Sequence, residues 1–147
     1  MDFTDFQEHK MNTTLIAERV LDHTEMLIEA LKHNYVEYCI RGHKRSANLA
    51  DRVEEKAYHM SKIEEVKNHC PIDFLIDTGR KYHRIVFVDG GGQRSVHCFI
   101  DKNTGEVYKS ASWKSPAKGV RYDLRIIEER EWLLEHADWS GGYLYSK

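Results

Sequence analysis

The residues best suited to chemistry lie between Ser110 and Arg125, in the stretch SASWKSPAKGVRYDLR. Lys114, Lys118, Arg121 and Arg125 stand there against one acid, Asp123, with Trp113 and Tyr122 interleaved. Guanidinium and ammonium groups give phosphate both charge and donors, and only the arginine fork is bidentate. Flat aromatic rings accept a stacked base. Pro116 and Gly119 shape a loop whose backbone donors can approach a ligand. A nucleotide or a short oligonucleotide needs these parts together, whereas an extended duplex needs a longer basic surface. Trp113 equally suits a packing role in the loop, and both readings stand at this point.

The charge pattern runs the same way. Residues 78–125 hold ten Lys/Arg against four Asp/Glu, and the other residues hold twelve against twenty. That asymmetry points to an anionic partner for the middle of the chain, with a solvated basic face as the plainer alternative. The total charge of -2 and a pI of about 6.5 lie below what a dedicated DNA-binding domain shows.

Other candidate chemistry is weaker. No GxGxxG after a strand, Walker loop, HExxH or GxSxG is present. DGGGQRS, 89–95, suggests a phosphate cradle, but a strand pattern follows it where a cradle needs a helix, so a hairpin is the better reading. His97 and Cys98 are neighbours on a predicted strand and should point to opposite faces, sharing neither a metal nor a nucleophile–base bond. His33, Cys39 and His43 lack a familiar ligand spacing, and His83 could meet His97 across a hairpin. The expectation is no catalytic residue, no metal and no cofactor. Cys39, Cys70 and Cys98 read as three reduced thiols.

These residues need elements to hold them. Ile16, Val20, Leu27, Leu31, Tyr35 and Cys39 recur at helical spacing, predicting a helix over 14–40 capped by Thr13 or Thr14 and ended by Gly42. RGHKRS, 41–46, reads as a basic connector. Leu49, Val53, Ala57, Met60, Ile63 and Val66 predict a second helix over 48–68, stopped by Pro71. Runs at 81–88, 94–101 and 106–113 then read as strands joined by DGGGQ and KNTG, with 71–77 as a further edge strand. A short helix follows at 125–137, with Ile126, Ile127, Trp132 and Leu133 inward. The expected fold is α+β: two long N-terminal helices, then a three- to four-stranded antiparallel sheet and a short C-terminal helix. Residues 1–70 form a helical oligomerisation region, and 71–147 the sheet with its basic loop and final helix. The helical stripes suit a homodimer or higher oligomer, or packing against the chain's own sheet. No apolar run approaches the ~20 residues of a membrane span. MDFTDFQEHK is too acidic and polar for a secretory leader, so a cytoplasmic chain is expected.

One stretch carries a resemblance. RSVHCFIDKNTGEVYKSASWKSPAKGVR, 94–121, has a strand ending in FID, an Asn-Thr-Gly turn, and then YK, a tryptophan, PAKG and an arginine. It resembles the phage Thoeris anti-defence proteins of the sponge type. The resemblance implies a phage-encoded protein in the host cytoplasm that binds a cyclic ADP-ribose-type signal from bacterial TIR enzymes without cleaving it. It implies a ligand contact for Arg121, for the turn residues Asn103 and Thr104, and for Arg94 and Phe99. Lys114 and Lys118 would add positive field, and Trp113 or Phe99 would face a base. Residues 126–147 lie outside the resemblance. A single-stranded nucleic-acid-binding phage protein is the alternative.

Overall fold

The computed structural model describes residues 2–145. Two helices lead, α1 (Phe3–Leu49) and α2 (Val53–Asn68). Five strands follow: β1 (Asp73–Thr78), β2 (Tyr82–Val88), β3 (Arg94–Asp101), β4 (Glu106–Lys109) and β5 (Tyr122–Asp123). A short helix, α3 (Ile127–His136), and a 3-10 turn at Gly142–Leu144 close the chain. The strands lie in sequence order with every neighbouring pair antiparallel, which makes a meander. The α+β class and the segregated order are as expected. The sheet has five strands where three or four were expected.

α1 corrects the first boundary. It spans 47 residues and runs straight through RGHKRS, so 41–46 is helix and not connector. Gly42 lowers helix propensity by about 1 kcal/mol relative to alanine. Tertiary contacts offset this: His43 Nδ1 meets His59 Nδ1 at 3.0 Å, and Ala47 is buried. The chain reverses instead at Ala50–Arg52, where Ala50 and Arg52 are extended. The start also moves. Asp2 caps α1 through Asp5 N–H (2.9 Å), while Thr13 and Thr14 sit inside the helix and bond back to the carbonyls of His9 and Lys10.

The α1 stripe packs on the chain's own sheet. Val20, Leu27, Ile28 and Leu31 join Phe74, Ile85, Cys98, Ile100, Val107 and Leu124 in one buried cluster, which also takes Leu133, Tyr143 and Leu144. A smaller cluster, Ile40, Ile63 and Val66, holds α2 against α1. Leu49, Val53 and Met60 of the second stripe are exposed. In α3 Leu133 is buried, but Ile126, Ile127 and Trp132 are exposed and not inward. Trp132 instead stacks on Tyr122 and His136, at centroid distances of 5.4 and 4.2 Å. No described helix is long and apolar enough to cross a membrane.

Candidate functional site

The sheet has two faces with different fates. Alternation sends His83 and Ile85 toward the helices and Tyr82 and Arg84 the other way. On that outer side Arg84 lies opposite Phe99 of β3, and Phe99 opposite Tyr108 of β4. Tyr82 makes edge contacts with Phe99 and Tyr108, at 5.8 and 6.0 Å between centroids. The β1–β2 turn is tight: Gly79 N–H donates to Tyr82 O (2.9 Å), and Lys102 Nζ donates to Gly79 O (2.9 Å). Arg80 and Lys81 are thereby held at the rim.

Arg84 is the hub of this face. Its Nη1 donates to Trp113 O at 2.8 Å, its guanidinium lies 4.7 Å from the Trp113 ring centroid, and it forms an ion pair with Asp77. Asp77 and Arg84 are direct cross-strand partners in β1 and β2. The result is a layered stack of carboxylate, guanidinium and indole. One indole face is covered by the cation, while Trp113 as a whole stays 44% exposed. Beside the stack lies a concavity of about 170 Å³ lined by Asp77, Gly79, Arg80, Lys81, Tyr82, Arg84, Phe99 and Lys114. Four cations thus face one acid, and that acid is already paired with Arg84.

The loop that delivers Trp113 and Lys114 is built by its serines. Ser110 bridges Pro116, and Ala111 and Ser112 N–H both donate to Ser115 O, at 3.0 and 3.1 Å. Ser112 Oγ accepts from the N–H of Lys114 and of Ser115. Ala117 N–H returns to Lys109 O at 2.8 Å. Residues 110–113, expected as the end of a strand, are therefore a hydrogen-bonded loop beyond β4. Gly119 has φ +98, a conformation that favours glycine.

The expected site residues divide. Trp113, Lys114 and Phe99 come together here; Phe99 is nearly fully buried and serves as floor rather than as an open stacking face. Arg121 does not line this concavity. It is half-buried, and its N–H donates to Val107 O at 2.7 Å. Lys118 is exposed and outside the lining. Arg94 opens β3 opposite Val88, five residues from Phe99, or about 16 Å along the strand. Asn103 and Thr104 occupy the β3–β4 turn, where Asp101 Oδ1 accepts both their N–H groups (2.9 and 3.1 Å). Sequence reasoning missed Arg84, Asp77, Arg80, Lys81 and Tyr82. The cluster GRKYHR, 79–84, was the available signal.

The His97–Cys98 reading is corrected. Ile85 pairs with Cys98 and Val86 with Val96, so His97 is the unpaired residue of a bulge. Both side chains therefore serve the helix-covered side. His97 packs edge-on to Phe74 (5.3 Å) and bonds Tyr143 Oη through Nε2 (2.7 Å), while Cys98 sits in the core. Burial pushes the Cys98 thiol well above its ordinary value, which makes it a poor nucleophile. Among the described residues, no group of three or more His, Cys, Asp or Glu is placed to hold a metal ion.

No curated protein and no solved structure matches this chain. Residues 3–146 match the model of a family of unknown function, DUF7717, and the chain belongs to that family.

Proposed function

We propose that this chain is a non-catalytic binding protein that holds a small anionic nucleotide on the outer face of its sheet. The observation that carries the reading is the Asp77–Arg84–Trp113 stack beside a concavity with Arg80, Lys81 and Lys114. At about 170 Å³ the concavity is smaller than the ~300 Å³ at which whole-ligand pockets begin. It suits one phosphoryl group, with a base stacked outward on the open side of Trp113. The resemblance of residues 94–121 makes a glycocyclic ADP-ribose-type signal the ligand to test first, and with it a phage origin and sequestration in the host cytoplasm.

The test is retention. Purified protein is incubated with extract of cells carrying an activated TIR defence, washed and heated, and the released material is identified by mass spectrometry. Release of an intact cyclic nucleotide supports the reading. Release of a linear product makes the protein an enzyme, and an empty protein removes the proposal. The open site and exposed Trp113 also favour a second reading, single-stranded nucleic acid. A polymer releases many counterions, so its affinity falls steeply with salt, whereas a two-phosphate ligand gives a shallow slope.

Association of copies belongs to the same reading. Every residue from Asp2 to Leu15 is exposed, Phe3, Phe6, Met11 and Leu15 among them. A helical end of this length gains little stability in water without packing. A homodimer or larger oligomer is expected by light scattering at micromolar concentration, and Phe6→Glu together with Leu15→Glu should shift it toward monomer. A wild-type monomer would remove this part.

A further inference from the structure

The geometry points to a second anion site, formed by Arg19, Arg125 and Arg130, that takes a phosphoryl group of a small molecule. The inference stands apart from the outer-face reading. A cavity of about 490 Å³ lies between α1, the segment after β5 and the start of α3. Its walls are Ile16, Arg19 and His23 on α1, Arg125 and Ile127 after β5, and Arg130 on α3. Because α1 covers the inner side of the sheet, this cavity and the Trp113 concavity open on different sides of the molecule.

Three guanidiniums converge here from three segments of the chain. Among the described residues none of them takes part in an ion pair. Gathering like charges with no carboxylate in ion-pair contact is unfavourable, and an anion in the cavity reduces that penalty. Arg130 is braced in place, since its Nη1 donates to Leu124 O at 2.8 Å and lies 3.1 Å from His23 Nε2. Burial, then the positive charge of Arg130, holds the His23 pKa below its ordinary value, with Asp22 opposing and Arg19 reinforcing.

Arg125 is positioned by a glycine. Gly105 has φ +81, and a Cβ there would meet Arg125 Cγ at 3.1 Å and Val20 Cγ2 at 3.4 Å. The β3–β4 turn therefore leaves the space that the Arg125 stem occupies. The ligand class follows from these walls. Guanidinium forks match phosphate oxygens, Ile16 and Ile127 give the cavity apolar sides, and its volume is that of a small-molecule site.

The experiment is calorimetric titration of the full chain with inorganic pyrophosphate at low salt. A saturable event that depends on Arg19 and Arg125 is expected, separate from any event on the outer face. Arg19→Ala and Arg125→Ala should each weaken it about tenfold or more, since each removes a charge-assisted bond. Both arginines are exposed, and neither has Arg130's bond to Leu124 O, so these variants should fold. Far-UV circular dichroism checks that. Lys56→Ala, exposed on α2 and outside both cavities, should leave the isotherm unchanged. Competition by AMP assigns the phosphoryl group to a nucleotide, and no competition assigns it to a free phosphate compound. Absence of saturation, equal isotherms for wild type and both arginine variants, or a loss on Lys56→Ala would each overturn the assignment.

Discussion

Arg84→Ala is expected to weaken nucleotide binding on the outer face by roughly a hundredfold. Losing a charge-assisted hydrogen bond to a phosphoryl group removes about 1.5–3 kcal/mol, and without Arg84 beneath it the indole is no longer held for a base to stack on. Part of the loss arises through Trp113, because Arg84 holds both its carbonyl and its ring. Unfolding stability should change much less. The Arg84 and Asp77 side chains are 23% and 52% exposed, and pairs of that kind contribute about 0–1 kcal/mol. Arg84→Lys keeps the charge and loses the fork, so it should recover a minor share. Trp113→Ala should lose about 1–3 kcal/mol of stacking without altering the melting point. Isothermal titration with the ligand and thermal melts without it, on the same three variants, settle the matter. A melting point that falls in step with affinity would make the stack a fold element instead of a binding surface.

How far the sequence disclosed this site follows from the distances involved. The strand runs were legible because β-branched and aromatic residues alternate between turn signals. The first helix starts earlier than its pattern suggests because residues 2–15 are exposed and carry no core stripe to detect. It ends later because Gly42 within a cluster of cations looks like a connector. α2 supports 41–46 through His59 against His43, and Ala47 just beyond is buried. Asp77 and Arg84 become cross-strand partners once the β1–β2 register is known, but Arg84 and Trp113 are 29 residues apart and meet only in the folded chain. The basic loop is therefore visible in the sequence, yet its partner strand is not. Arg121 was expected to act from an exposed loop, but its backbone is tied to β4 and its side chain is half-buried.

The bulge at His97 carries the second large effect, a loss of stability on acidification. An inserted residue leaves no mark in the string VHCF, because strand alternation assumes regular pairing. In the fold it turns a half-buried imidazole against Phe74 and Tyr143. Burial lowers the His97 pKa from 6.5 to about 4, with the Asp138 carboxylate opposing the shift. At pH 7 the native chain lacks this proton and the unfolded chain holds it only in part. As pH falls below 6.5 the unfolded chain takes it up while the native chain does not, so stability declines until the native value near 4 is passed. A shift of this size corresponds to about 3 kcal/mol across that window. Hydrogen bonds from Ser140 and from the backbone N–H of Gly142, Tyr143 and Gly141 overcome burial and lower the Asp138 pKa, so Asp138 stays charged over most of the range. His23 and His83 are also shifted down by burial and add to the same slope. A variant isolates the contribution of His97. Urea unfolding of wild type and His97→Gln between pH 7 and pH 4 should give curves that converge on acidification. The variant starts lower because glutamine fits the aromatic site poorly, then loses about 3 kcal/mol less. Parallel curves would mean that His97 accepts its proton within the native state, and that the contact with Tyr143 tolerates an imidazolium.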